Sequence, residues 1–308
     1  MTAPTTPGVW PNVPEHEYHS WGLESNSRLN HMAHPDEPGK MVPALYASAL
    51  RQPFGGSAAT VFGTAAHIAI PDEFIDIDST FAESKYGSVC AAFLKEQQAL
   101  GADADDRPVV LKGQLDRLKG LHHAFWNTPG EMNAWAKNLV RSATHKELSI
   151  AFEVRGELCK CRLDLVGEDY VADLKTTKKG SGSTREFQKN AYDRGYLRQG
   201  GWYLEGAKTI PDDKIRETFF FIVVESEAPY LVNVVFPDSP SLDLGFSQAS
   251  MHLKEVQECR EANSWPGYEV DVVDVIVTPE WARDKIENQV AKYLEGETKT
   301  ETERKSRT

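Results

Sequence analysis

Between residues 148 and 176 three strand-like runs follow one another with only tight turns between them, and this stretch limits how the rest of the chain can fold. Residues 148–154 and 158–166 are joined across Gly156 and read as a hairpin. Gly167-Glu168-Asp169 then turns the chain into a third strand, 170–176. Successive side chains on a strand point to opposite faces. In the second strand this places Lys160, Arg162 and Asp164 on one face and Cys159, Cys161, Leu163 and Leu165 on the other. In the third strand Asp173 and Lys175 share a face.

Helical patterns flank this meander. Residues 25–32 and 43–50 predict short helices. Residues 57–70 predict a small-residue helix, with Ala58, Ala59, Ala65, Ala66 and Ala69, whose backbone can approach a neighbour closely. Residues 72–112 are polar and mixed. Residues 115–139 predict one or two amphipathic helices, interrupted near Thr128-Pro129-Gly130. After the third strand comes the loop Gly180-Ser181-Gly182-Ser183. Ser183 with Glu186 has the spacing of a capping box and predicts a long helix to about Ala207. Strands at 218–224 and 230–236 and a helix at 242–262 complete the pattern. The order predicts an α/β fold with a mixed central β-sheet flanked by helices. The expected organisation is a Pro-rich arm at 1–20, one domain at 21–285 with its core at about 145–240, and a charged tail at 286–308. Residues 296–308 carry no apolar side chain and are expected to be disordered.

Composition excludes some classes. The chain has 308 residues, 40% of them hydrophobic, enough for a core. No apolar run is long enough for a membrane span, and the first residues lack the basic region of a signal peptide, so a cytoplasmic protein is expected. Cys90, Cys159, Cys161 and Cys259 are too few for a disulfide scaffold. Cys159 and Cys161 read as buried thiols on a core face, or as metal or iron–sulfur ligands, although no CxxC spacing supports the second reading. The net charge of −12 is unlike the basic footprint of most nucleic-acid binders. A site built on carboxylates is acidic by necessity, however, and a local basic patch can act within a screening length of roughly 8–10 Å.

The chemistry concentrates on Asp164 and Asp173-Leu174-Lys175. Two carboxylates converging from adjacent strands repel each other unless a cation binds between them. Oxygen ligands of this kind suit Mg²⁺, with Mn²⁺ as a substitute. A neighbouring lysine can orient or help deprotonate an attacking water, or offset charge on a phosphorane. Tyr192, Tyr196, Gln199 and Tyr203 fall on one stripe of the predicted 183–207 helix, and a glutamine in such a stripe needs a partner. Gly195, Gly200 and Gly201 on that helix make sense where another backbone, of protein or of nucleic acid, comes very close. His67, on the small-residue helix, is read either as a packed, hydrogen-bonded core histidine or as a further metal ligand or orienting group.

Four segments in order carry a resemblance: Phe62-Gly63-Thr64-Ala65-Ala66-His67, Cys161-Arg162-Leu163-Asp164, Ala172-Asp173-Leu174-Lys175-Thr176-Thr177 and Gln199-Gly200-Gly201-Trp202-Tyr203. Over roughly residues 20–285 the chain resembles the RecB-type motif series, and within it the exonuclease VIII (RecE-like) nucleases of phages and prophages. The resemblance implies a PD-(D/E)XK, restriction-endonuclease-like core and Mg²⁺-dependent 5′→3′ digestion of linear duplex DNA. It also implies a homo-oligomeric ring around DNA and single strands exposed for recombination. It assigns the metal to Asp164, Asp173, the Leu174 carbonyl and His67, and matches Lys175, Gln199 and Tyr203 to the remaining catalytic positions. Glu147 resembles a recurrent family glutamate without a settled role. Asp173 stands where many RecB-type enzymes have Glu, and the cysteine set of the iron–sulfur branch is missing. Lys178, Lys179, Arg185, Lys189 and Tyr196 are the expected DNA contacts. The implied partners are duplex DNA ends and a single-strand annealing protein, and the implied compartment is the cytoplasm of a bacterial host. Two rival readings are an end-independent or structure-specific endonuclease of the same fold and a catalytically silent DNA-binding or scaffold subunit. The intact acidic set argues against the silent subunit.

Overall fold

The computed structural model describes residues 2–33, 40–51, 56–102, 107–268, 280 and 282–292. Six strands form one sheet, and their spatial order follows the sequence: β1 (Gly8–Trp10), β2 (His145–Val154), β3 (Glu157–Val166), β4 (Tyr170–Thr177), β5 (Thr218–Glu225) and β6 (Val232–Val235). Every neighbouring pair is antiparallel except β4 and β5, which run parallel. A parallel pair needs a long crossover. Here it is made by α4 (Thr184–Asp193) and α5 (Tyr196–Ala207). Further helices are α1 (Ala58–Ala69), α2 (Gln114–Asn127), α3 (Glu131–Ser142) and α6 (Ser239–Ala262). The sheet is mixed and flanked by helices, as the order of patterns predicts.

Both faces of the sheet are covered, which is why β5 reads as the unbroken apolar run Phe219–Val224 rather than as an alternation. On one face Cys161, Leu163, Val171, Phe219 and Phe221 pack with Trp202 and with Leu253 and Val256 of α6. On the other, Leu165, Ala172, Leu174 and Ile222 pack with Phe62 and Ala66 of α1 and with Leu118 and Phe125 of α2. Leu165 therefore does not share a face with Cys161 and Leu163, against strict alternation. The departure coincides with a distortion. Opposite Asp164, Glu147 takes φ +50 and drops out of the β2–β3 register.

The N-terminal arm adds β1 to the sheet edge and buries Tyr18 and Trp21. Lys160 Nζ donates to the carbonyls of both, at 2.8 and 2.7 Å. The predicted single helix 183–207 is two helices. Gly195, at φ +68, breaks it after Asp193, a conformation that costs little only for glycine. Tyr192 is consequently exposed and leaves the stripe, whereas Tyr196, Gln199 and Tyr203 remain together on α5. The mixed stretch 72–112 contains the helices Ile77–Thr80 and Ala91–Ala102 and a two-stranded parallel ladder, Ala82–Glu83 with Val109–Val110. α6 starts earlier than the apolar pattern suggests, because Asp238 caps it through a 3.0 Å bond from Ser241 N–H.

The chain divides into two compact units, Met1–Gly267 and Tyr268–Thr308. The first holds every element named above. In the second, residues 282–292 are helical, and the tail expected to be disordered lies outside the described residues. Among the described residues no helix is long and apolar enough to cross a membrane.

His252 of α6 yields a stability prediction. It is 1% exposed, and Nδ1 lies 3.1 Å from the Leu29 carbonyl. Burial and the charge of Arg198 push its pKa down to about 4. The native imidazole thus binds its proton later than the unfolded one, which titrates near 6.5. Stability contributed by the neutral ring is full above the unfolded value and is lost as pH falls from about 6.5 to about 4, by roughly 3 kcal/mol. Urea unfolding at pH 7 and pH 4.5 should show this loss in the wild type and a smaller one in His252→Gln. Equal losses would contradict it.

Candidate active site

The site lies where β3 and β4 part. Their ladder is confined to Leu165–Ala172 and Val166–Val171. Beyond it the Asp164 side chain enters the gap, and its Oδ2 accepts the Leu174 N–H at 2.8 Å. Asp164 takes the place of a backbone partner and is held at the fork with its charge largely shielded from water. Asp173, 1% exposed, faces the same region from β4. Its Oδ1 accepts from Gln199 Nε2 at 2.9 Å, and its Oδ2 lies 2.6 Å from Lys175 Nζ. That buried Oδ2 receives no aligned hydrogen bond. Lys175 Nζ also sits over the Tyr196 ring, 4.7 Å from its centroid. The glutamine in the aromatic stripe thus has its partner in Asp173.

α1 brings His67 to the other side of the fork. Its Nδ1 lies 3.2 Å from Asp164 Oδ2 and 3.9 Å from Glu147 Oε1, and the Leu174 carbonyl faces its ring. Glu147 Oε2 pairs with Arg162 Nε at 2.7 Å. The ligand-capable atoms of His67, Glu147 and Asp164 all lie within 4.8 Å of one another. Of the residues expected to hold a metal, His67, Asp164 and the Leu174 carbonyl come together. Glu147 completes that group where Asp173 was expected, because the Asp173 carboxylate is engaged by Lys175 and Gln199. In the sequence Glu147 is marked by its place just before the first predicted strand and by its resemblance to a recurrent family glutamate, neither of which specifies a ligand.

The electrostatics express crowding of like charge. Burial, and then the charge of Asp173, raise the Asp164 carboxyl well above the usual carboxylate range despite Lys175 and the Leu174 N–H. Burial and Asp164 push Glu147 up to about 7. Burial lowers the His67 pKa, leaving a neutral ring with a lone pair. For Lys175, burial alone would lower the amine pKa, but Asp173 and Asp164 outweigh it and raise it. Two crowded carboxyl groups whose pKa values are raised, Asp164 and Glu147, and a neutral imidazole between them fit a hard divalent cation. His67, Glu147 and Asp164 are placed to hold it, with Asp173 adjacent.

A cleft of about 410 Å³ opens beside Lys175 and Tyr196. Lys178 lines it. Lys179, Arg185 and Lys189 are exposed but lie outside it. Arg117 and Arg194 line it too and were not foreseen, since neither is near the D…DxK segments in sequence. The Gly/Ser loop above the cleft is tied down by Glu225, whose Oε1 accepts the N–H groups of Gly180 and Gly182 at 2.9 and 3.1 Å.

A mixed sheet whose forked strands present Asp164 against Asp173 and Lys175 defines a fold of the PD-(D/E)XK class. Residues 111–275 match the family described as PDDEXK-like domain of unknown function (DUF3799), and the chain belongs to that family. The crystal structure of a candidate exonuclease from Eubacterium rectale is similar, with a TM-score of 0.57 at 12% identity, over 87% of this chain and 97% of that one. At that identity the likeness is one of fold. No curated protein matches the chain in sequence.

Proposed function

We propose that the protein is a divalent-metal-dependent deoxyribonuclease that digests linear duplex DNA from its ends. The observation that carries this reading is the fork itself: two buried carboxylates from adjacent strands, a lysine two residues beyond the second, and His67 and Glu147 closing the other side. A bound Mg²⁺ or Mn²⁺ would polarise the scissile phosphate and lower the pKa of a bound water. The chain's own residues do the rest. Asp164, Glu147 and His67 would hold the cation. Gln199 fixes the rotamer of Asp173. The Lys175 ammonium, steadied over Tyr196, is placed to offset charge developing on the phosphate. Lys178, Lys179, Arg185 and Lys189 supply phosphate contacts.

End dependence and 5′→3′ polarity rest on the resemblance to exonuclease VIII-type enzymes, and the exonuclease description of the E. rectale relative agrees with end dependence. A homo-oligomeric ring would supply the local positive field that a chain of net charge −12 lacks. Exposing single strands to an annealing protein is the recombination role that follows.

The test compares linear duplex labelled at one 5′ end with closed-circular duplex, each with Mg²⁺, Mn²⁺ or EDTA. Metal-dependent loss of linear DNA alone is the expected result. Equal cleavage of circular DNA would make the protein an endonuclease, and no cleavage of either would overturn the proposal.

A further inference from the structure

A second, smaller cleft of about 190 Å³ lies on the far side of Tyr196, between α5 and the short helix Asn26–Leu29. Two buried cations stand at it, neither within ion-pairing distance of a carboxylate among the described residues, and Glu24 acts on Lys160 only at longer range. Lys160, 3% exposed, lines the cleft and bonds only the Tyr18 and Trp21 carbonyls. Arg198, 2% exposed, stands directly behind the cleft wall. Burial pulls the Lys160 amine down to about 8 and the Arg198 guanidinium down to about 10. Buried positive charge without a counter-ion is costly and is relieved by an anion.

Arg198 also decides what the wall offers. A guanidinium only donates hydrogen bonds. Its Nε bonds Asn26 Oδ1 at 2.9 Å, and its Nη2 bonds Asn30 Oδ1. Both amide oxygens therefore face Arg198, and both NH₂ groups are turned away from it. Both asparagines line the cleft, and neither NH₂ finds an acceptor among the described residues. Arg194 is exposed and lines this cleft as well as the larger one beside Lys175, so the two adjoin. In a chain with 46 Asp and Glu residues, no acidic side chain lines the smaller cleft.

We infer that this cleft is a phosphate-binding subsite, with the Asn26 and Asn30 amides and Arg194 as donors and Arg198 as the positioning residue behind them. Several donors converging on a compact anion is the chemistry that recognises a phosphate. Resting on the nuclease reading, the phosphate is one carried by the substrate strand next to the point of cleavage. It is either an internal diester or a terminal monoester.

Asn26→Asp with Asn30→Asp tests this in the full chain. Aspartate keeps an oxygen for Arg198 but replaces each cleft donor with an acceptor. Without metal, inorganic phosphate should raise the wild-type melting temperature above that in chloride of equal ionic strength, and should not do so in the double variant. In EDTA, a labelled oligonucleotide should bind the double variant at least about tenfold more weakly. A phosphate response and an affinity equal to wild type would overturn the subsite. If the double variant fails to fold, Arg194→Ala decides on the same two readouts, since Arg194 is exposed. Oligonucleotides with a 5′-phosphate and with a 5′-hydroxyl separate the sources. A variant effect confined to the first marks a terminal monoester, and an equal effect marks an internal diester. Wild-type protein that binds phosphate here but cleaves no DNA would sink the nuclease reading alone. Cleavage by wild type with unchanged affinity in the variants would sink the subsite alone.

Discussion

Asp164→Asn is expected to lose metal-dependent DNA cleavage by at least about a thousandfold, roughly 4 kcal/mol of transition-state stabilisation, while its metal-free melting temperature stays level or rises. The two halves of this expectation share one cause. Asparagine retains an oxygen to accept the Leu174 N–H, so the strand fork keeps its structural bond. It removes one of two buried carboxylates whose mutual repulsion already raises the Asp164 pKa. The metal-free protein is relieved, and the cation site is dismantled. Mg²⁺ or Mn²⁺ should raise the wild-type melting temperature by mass action on the native state, and most of that shift should vanish in the variant. Calorimetry with and without metal, beside a nuclease assay, reads both halves. Residual activity within tenfold of wild type would move the catalytic centre elsewhere. A variant that retains the full metal shift would move the cation elsewhere.

The parts legible in the sequence were those governed by local pattern. The period-two runs of β2, β3 and β4 and the tight turns between them specify the meander. The i, i+2 spacing of Asp173 and Lys175 puts both on one face of β4 whatever surrounds them. The α5 stripe of Tyr196, Gln199 and Tyr203 follows from helical spacing in the same way. Glu147 and Arg162 needed more, because Glu147 reaches His67 only through the φ +50 kink opposite Asp164, and no residue type announces such a kink. Leu165, beside the same distortion, falls in the other core. Arg117 and Arg194 reach the cleft from α2 and from the turn before α5, a proximity that only the tertiary fold creates.

Residues 72–112 were opaque for a different reason. Their elements are short, and their buried side chains, such as Phe81, Phe93 and Val110, are spaced by turns rather than by one period. The break at Gly195 was visible as a glycine but not as a boundary, since Ser183 and Glu186 promise a helix and nothing in their pattern says where it stops. Its consequence is functional. It separates exposed Tyr192 from Tyr196, whose ring lies against both clefts.

Gly201→Ala is expected to cost the protein several kcal/mol, although by helix propensity alone the change should gain about 1 kcal/mol. The sign is decided by what lies against the helix. A Cβ at Gly201 would fall on the Leu242 carbonyl oxygen and 2.6 Å from the Phe246 amide nitrogen of α6. Gly245, on α6, makes the reciprocal approach, since a Cβ there would fall on the Leu197 carbonyl. These are backbone atoms with no rotamer to yield, so α5 and α6 must separate. The sequence left open whether Gly200 and Gly201 admit a protein or a nucleic-acid backbone; at Gly201 these contacts answer for protein, and at Gly200 the close neighbours are the Leu242 and Phe219 side chains. Separation would also unseat Trp202, which is fully buried, stacks edge-on against Phe152 at 5.1 Å and donates to the Lys160 carbonyl at 3.0 Å. Gln199, two residues away on the same helix, would then lose its hold on Asp173. A loss of about 3 kcal/mol corresponds to a melting temperature lower by about 5 °C in a chain of this size. Gly22→Ala is the control: a Cβ there meets nothing within 4 Å and the backbone φ is not left-handed, so the change should stay within about 0.5 kcal/mol. A Gly201→Ala protein as stable as that control would mean that α5 and α6 do not cross backbone against backbone, and that Gln199 is held at Asp173 by something other than this contact.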